Sequence, residues 1–225
     1  MNPPITYIPE FVPNPNMAFA ALRDELAWER RDTTPRCEYY ANDYPHDYPQ
    51  PYTYGAGRGV RTYQPQPYHP VMSSIREQVE ARTGALLEVS FLNKYLDQSD
   101  QLGEHADDSD EMDDDRPIGI ISLGIEREIW FRANDAAKNA YFKQKLGHGS
   151  LCIMHPGMQN THKHRVPKAS FMCNVASPHG GVRISITLRG YISQKAVYDP
   201  HSLLPRDSHL SHPHDLQAGG RGPGR

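Results

Sequence analysis

From Leu86 onward apolar residues return at every second position. That period of two excludes a helical bundle for the larger part of the chain and calls for short, half-buried strands. In Arg183-Ile184-Ser185-Ile186-Thr187-Leu188-Arg189, for example, Ile184, Ile186 and Leu188 fall on one face of a strand, while two arginines and two hydroxyls fall on the other. The same pattern predicts strands over residues 86–96, 119–132, 149–154 and 182–192, with shorter pieces near Tyr141 and Ser170. Two helices are expected ahead of them. One spans residues 15–27, with Asn14 or Asn16 as cap and Met17, Leu22 and Leu26 among its apolar positions. The other spans residues 70–82, with Val71, Ile75 and Val79 on one stripe and Gly84 as its stop. Helices followed by many short strands make an α+β protein whose sheets form a sandwich or jelly roll. At 225 residues the chain suffices for one catalytic domain with tails.

Residues 36–70 have a different character, holding eight of the thirteen tyrosines and six of the twenty prolines, with Gly55, Gly57 and Gly59 between them. Proline withholds backbone donors and glycine permits turns, so loops and short strands are expected there, making irregular, ring-bearing surface structure rather than long ladders. After Pro200 the sequence turns to His, Pro and Gly, the composition of a disordered tail. No apolar run approaches the length of a membrane span, and the N-terminus lacks the basic and apolar regions of a secretory signal. A protein of the cytoplasm, or of the nucleus if eukaryotic, is therefore expected, with no membrane association. Cys37, Cys152 and Cys173 cannot all pair and form no C-x-x-C, which supports neither a disulfide scaffold nor a cysteine zinc site. Residues 107–115 (DDSDEMDDD) carry seven acidic side chains. Without them the remainder stands at +4, against −3 for the whole chain, so the run reads as a solvated loop on an otherwise mildly basic protein.

Among the twelve histidines only His105 is followed two residues later by a carboxylate, Asp107. In an extended segment residues i and i+2 point the same way, so both can reach one metal ion. A second histidine from a later strand would complete a two-histidine, one-carboxylate site with open coordination positions. His162 and His164, in Thr161-His162-Lys163-His164-Arg165-Val166-Pro167, share a face and either could serve. A zinc site from His155, His162 and His164 is a competing arrangement without an evident fourth ligand. The polar face of residues 183–189 suits a dicarboxylate, because guanidinium forks bind carboxylates bidentately. Phe91, Asn93 and Tyr95 lie on one face of the strand just before the H-x-D, offering an amide and a phenol to the same cavity.

Taken in order, N-x-Y, H-x-D, H-x-x-P and R-x-S-x-T-x-R resemble the motifs of the AlkB family of Fe(II)- and 2-oxoglutarate-dependent dioxygenases, most closely its nucleic-acid repair branch. The S-L-G strand at 122–124 and the H-G-S-L strand at 148–151 add to the likeness, which covers residues 16–193. The resemblance implies an α+β fold with a double-stranded β-helix (jelly roll, cupin-like) core, flanked by N-terminal helices and a nucleotide-recognition lid. It divides the chain into an extension at 1–15, a dioxygenase domain at 16–199 with the lid at 36–70, and a tail at 200–225.

It further implies that His105, Asp107 and His164 hold Fe(II), His164 being preferred because His164-Arg165-Val166-Pro167 matches H-x-x-P. Arg183 would pair with the distal carboxylate of 2-oxoglutarate and Arg189 would lie near the chelating end. Asn93, Tyr95 and Ser185 would add hydrogen bonds, with serine at 185 where the family usually has asparagine. Arg36, Tyr52, Tyr54 and Asp108 would contact the substrate base, and Arg58, Arg61, Lys163, Arg165 and Lys168 are phosphate candidates. The implied activity is dealkylation of bases such as 1-methyladenine and 3-methylcytosine in DNA or RNA by a monomer. It uses dioxygen and converts 2-oxoglutarate to succinate, with release of formaldehyde. Stable base hydroxylation, or demethylation of RNA or protein, is the alternative.

Overall fold

The computed structural model describes residues 2–32, 34–42, 51–54, 60–169 and 177–192. Contacts gather residues 1–193 into one unit and 194–225 into another, and the second lies outside the described residues, as does the strand expected near Ser170. The elements run in the order β1 (Ile5–Ile8), α1 (Pro15–Glu25), β2 (Cys37–Asn42), β3 (Tyr52–Tyr54), β4 (Arg61–Tyr63), α2 (Pro70–Thr83), β5 (Val89–Tyr95) and β6 (Leu102–His105). They continue with β7 (Ile118–Gly124), β8 (Arg127–Ala133), β9 (Phe142–Leu146), β10 (Ser150–Met154), α3 (Met158–Thr161), β11 (His162–Val166) and β12 (Arg183–Arg189).

Two antiparallel sheets carry the architecture. The larger has the order β1-β10-β7-β12-β5-β2 and the smaller β6-β11-β8-β9, while β3 and β4 form a separate hairpin. Alternation along each strand decides what its faces meet. Ile184, Ile186 and Leu188 of β12, Leu92 of β5 and Ile121 and Leu123 of β7 join Phe19 and Leu22 of α1 and Met72, Ile75 and Val79 of α2 in one core. The opposite faces of the larger sheet supply Ile118, Ile120, Cys152 and Met154. These pack against Ile129, Phe131, Leu146 and Val166 of the smaller sheet in a second core. The result is a layer of helices on a two-sheet sandwich, the jelly-roll core with flanking N-terminal helices that the sequence predicts.

Local chemistry sets the helix ends. Pro15 and Pro70 occupy first-turn positions where the missing N–H costs nothing. His69 Nδ1 accepts from the backbone N–H of Val71, and Gly84 closes α2 in the left-handed conformation at φ 70°, donating to the Glu80 carbonyl. Asn14 sits at the cap of α1 without a side-chain bond, while Asn16 is used elsewhere. Its Oδ1 accepts from His148 Nε2 at 3.0 Å and His179 Nε2 at 3.1 Å, and His148 Nδ1 accepts from the Gly124 N–H at 2.8 Å.

Several expectations need correction. Met17 is 72 % exposed and contributes nothing to the core, because its neighbours Ala18 and Phe19 take the buried face. The strand expected over 119–132 is two strands, broken where Gly124 adopts φ 93°. Residues 36–70 are not surface loops throughout: β2 is a six-residue member of the larger sheet, and Tyr39, Tyr40, Tyr52 and Tyr63 are buried. The acidic run is docked as well as solvated. Met112 is buried and bridges Tyr191, and Asp113 accepts from Arg116, whose guanidinium also bonds Glu88 and the Leu86 and Tyr191 carbonyls. The first fifteen residues contain β1, which pairs along its whole length with β10.

A Cβ at Gly124 would lie 2.2 Å from the Val182 carbonyl oxygen, on a backbone conformation that only glycine adopts without strain. Gly124→Ala is expected to destabilise the protein by more than about 2 kcal/mol, measured by urea unfolding.

Candidate active site

His105 ends β6 and His164 occupies the middle of β11, and the two are direct partners in the antiparallel register. Pairing therefore sets the imidazoles side by side, with centroids 4.2 Å apart. Asp107 follows on the extended chain beyond β6. Its Oδ1 lies 3.6 Å from His105 Nε2 and its Oδ2 3.6 Å from His164 Nε2. One donor atom from each residue falls within 4.8 Å of the others, the one such group among the described residues.

The protonation states suit a cation. His105 Nδ1 donates to the Gly103 carbonyl at 2.9 Å, which leaves the Nε2 lone pair facing the group. Burial, reinforced by the neighbouring His105, pushes His164 down to about 3, so it is neutral at pH 7. Burial alone would raise the carboxyl of Asp107. The charge of Arg189 outweighs it and holds the group well below the usual carboxylate range. Two imidazoles and one carboxylate fit a divalent transition metal such as Fe(II) with positions left open. Around them, the Asp107 N–H donates to Gln159 Oε1 at 2.9 Å, and Arg189 Nη2 donates to the Asp107 carbonyl at 2.5 Å.

These residues open onto a cavity lined from both sheets. Arg183, Ser185, Thr187 and Arg189 of β12 line it, with Phe91, Asn93 and Tyr95 of β5 opposite them, as alternation predicts. Arg183 is 0 % exposed. Its Nη2 donates to Ser122 Oγ at 2.8 Å and reaches Ser185 Oγ at 3.3 Å, and its guanidinium lies over the Tyr95 ring at 5.1 Å. Nε and Nη1 are buried without a hydrogen-bond partner, and among the described residues no carboxylate pairs with the group. Burial lowers its pKa. A fully buried guanidinium with two idle donors is a receptor for an anion, and a carboxylate is the anion whose shape it matches.

At the cavity mouth the hairpin brings Tyr52 and Tyr54 together, ring centroids 6.2 Å apart, with Tyr54 edge-on to His105 at 6.1 Å. Tyr52 also bonds Ser109 and accepts from Arg189 Nη1. Arg36 lines the cavity and donates from Nε to Asn93 and from Nη2 to Glu38. Asp108 is exposed and does not line the cavity. Of the phosphate candidates, Arg58 lies outside the described residues, Arg61 is within 3.6 Å of Glu38, Arg165 covers Trp130, and Lys163 and Lys168 are exposed. His162 turns to Thr161 and His155 to Thr6, which removes both from any shared zinc site. Sequence reasoning missed Gln159 and Glu38, whose importance rests on tertiary contacts that no spacing betrays.

A jelly roll that sets two histidines and a carboxylate beside a receptor for a second carboxylate defines the class of non-haem metal oxygenases that use an oxo-acid. The comparisons narrow the class: a family model described as the 2OG-Fe(II) oxygenase superfamily matches residues 5–189, and the chain belongs to that superfamily. Within it the chain is similar to relatives named for AlkB. It is 34% identical over 142 residues to the human protein named DNA oxidative demethylase ALKBH2, covering 60% of this chain and 51% of that protein. It is 31% identical over 126 residues to bovine alpha-ketoglutarate-dependent dioxygenase alkB homolog 3, covering 52% of this chain and 43% of that one. The chain thus spans about half the length of these relatives. A solved structure titled "The structure of OsALKBH1" superposes with a TM-score of 0.59 at 16% identity, covering 84% of this chain and 99% of that one, and so shares the fold.

Two outcomes follow from the site. Asp107→Ala should abolish Mn(II) or Fe(II) binding, followed by electron paramagnetic resonance or calorimetry, while the circular dichroism spectrum is unchanged. Metal-free protein should lose stability as pH falls from about 6.5 toward 3. Over that window the unfolded chain protonates His164 and the folded chain does not, at up to about 1.4 kcal/mol per pH unit. His164→Asn should reduce that slope in urea titrations.

Proposed function

We propose that the protein is an Fe(II)- and 2-oxoglutarate-dependent dioxygenase that oxidatively dealkylates nucleobases. The observation that carries this reading is the buried Arg183, with idle donors and no carboxylate partner among the described residues, in the same cavity as His105, Asp107 and His164. His105, Asp107 and His164 would hold iron. When bound, the metal and 2-oxoglutarate supply the oxidation, in which the oxo-acid is decarboxylated to succinate and CO₂ as one oxygen atom of dioxygen enters a substrate C–H bond.

The chain's own residues bind and orient. Arg183, steadied by Ser122 and Ser185, pairs with the distal carboxylate, and Tyr95 and Asn93 flank the same ligand. Arg189 fixes Asp107 through its carbonyl and carboxylate and keeps that carboxyl ionised. Apolar walls from Ile120, Ile129 and Val166 exclude water from the co-substrate. In the cavity lining, the Tyr54 ring offers a flat face for a base turned out of its stack, an interaction worth about 1–3 kcal/mol per base. A methyl on a ring nitrogen blocks pairing and lowers the cost of turning that base out. Its hydroxylated form sheds formaldehyde unaided, so the protein needs no further acid or base. The recognition lid at 36–70 is part of this proposal, supported by the Tyr52–Tyr54 hairpin. The names of the ALKBH2 and alkB homolog 3 relatives support the same chemistry.

The test is the intact mass of DNA and RNA oligonucleotides bearing 1-methyladenine, 3-methylcytosine or 5-methylcytosine after incubation with protein, Fe(II), 2-oxoglutarate and ascorbate. Loss of a methylene mass from N-methylated strands is the expected result. A persistent gain of one oxygen would replace dealkylation with stable hydroxylation, and no change in any strand would overturn the assignment to nucleobases. Arg183→Met should raise the 2-oxoglutarate concentration needed for half-maximal succinate formation at least about tenfold, since the charge-assisted pair is lost.

A further inference from the structure

We propose that Glu38 is a positioning residue that links the tyrosine hairpin to the co-substrate end of the cavity, acting through Arg36 on the side-chain amide of Asn93. The inference rests on the reading of that cavity as a 2-oxoglutarate site. Glu38 lies on β2 directly opposite Asn93 of β5 and is 2 % exposed. A carboxylate is rarely buried so completely unless its oxygens are fully engaged. Here Oε1 accepts from Arg36 Nη2 at 2.7 Å and lies 3.6 Å from Arg61 Nη1, while Oε2 accepts from Tyr63 Oη at 3.0 Å. Arg61 and Tyr63 belong to β4, the second strand of the hairpin whose first strand carries Tyr52 and Tyr54.

Arg36 completes the link. Its Nε donates to Asn93 Oδ1 at 2.5 Å while its Nη2 is held by Glu38. A side-chain amide has one accepting and one donating end. With Oδ1 committed to Arg36, Nδ2 is the end left to meet an acceptor in the cavity that Asn93 lines, which is the polarity a carboxylate ligand requires. Arg36 holds this geometry because its fork has a fixed, charged partner. Glu38 also keeps two guanidinium groups, one on β2's approach and one on β4, from repelling each other. Removing the negative charge would free Arg36, release the Asn93 amide to flip, and loosen the hairpin together. The nucleobase end and the co-substrate end are thus coupled through one buried carboxylate.

The experiment compares wild type, Glu38→Gln, Asn93→Ala and the double variant by calorimetric titration of 2-oxoglutarate into Mn(II)-loaded protein, with thermal melting as the check on folding. Glu38→Gln should weaken 2-oxoglutarate about tenfold, and adding it to Asn93→Ala should bring little further loss, because the amide it positions is gone. In metal-free protein the NMR resonances of the Asn93 side-chain amide should be sharp in wild type and broadened in Glu38→Gln. Should Glu38→Gln unfold, Arg36→Lys, which keeps the charge and loses the fork, carries the same expectation. Unchanged affinity in a folded Glu38→Gln, or losses that simply add in the double variant, would overturn the link. Wild-type protein that binds Mn(II) but no 2-oxoglutarate would overturn the co-substrate reading itself, and this inference with it.

Discussion

Strand β12 has two obligations that the antiparallel pairing satisfies at once. Its odd positions carry two arginines, a serine and a threonine into the cavity, and its even positions carry Ile184, Ile186 and Leu188 into the helix-covered core. Pairing on both sides, with β5 and β7, leaves no freedom of register, and a slip of one residue would put both guanidinium groups among leucines. The packing of α1 and α2 against the even face therefore holds Arg183 in a place where an isolated charge would not otherwise remain. Stability of the helical layer and competence of the cavity are one constraint.

The group of two histidines and one carboxylate depends on a second register. His105 and His164 meet because β6 and β11 pair, and the smaller sheet owes its own position to the inter-sheet core around Phe131, Ile129 and Leu146. Arg127, buried at the start of β8, donates to the carbonyls of Asp97, Asp100 and Pro167. It thereby ties the loop entering β6 to the chain leaving β11. Arg30 grips the buried Asp100 from the other side. The spacing of His105, Asp107 and His164 is thus set by apolar packing and by arginines bound to carbonyls and a carboxylate well outside the site.

Much of this was legible in the sequence because strand alternation is a local signal. The polar faces of residues 183–189 and 91–95, and the pairing of His105 with Asp107, could be read from spacing alone, and H-x-x-P favoured His164 over His162. The tyrosine segment was misread as surface because proline and glycine content describes backbone freedom and is silent on burial. Tyr40 and Tyr63 are buried by Phe91 and by one another, contacts made across long sequence separations. Glu38 was invisible for the same reason: a lone acidic residue beside tyrosines has no pattern until β2 lies against β5. Asp108, adjacent to a ligand, points to solvent because successive residues of an extended chain face opposite ways.

A sandwich with an accessible interior must leave sheet edges unpaired where it opens. Among the described residues β2 ends the larger sheet and β6 the smaller, and Arg36 beside β2 and Leu102 and His105 of β6 line the cavity. Unpaired edges invite other strands to add to them. Here β2 is capped by exchange of backbone bonds between Glu29 and Glu38 and by Gln66 donating to Tyr40, while β6 is only four residues long and carries the ion-paired Glu104. The features that keep the opening clear of a foreign strand are therefore the same short, charged and bridged segments that frame it, and lengthening β6 with apolar residues would convert an entrance into an adhesive edge.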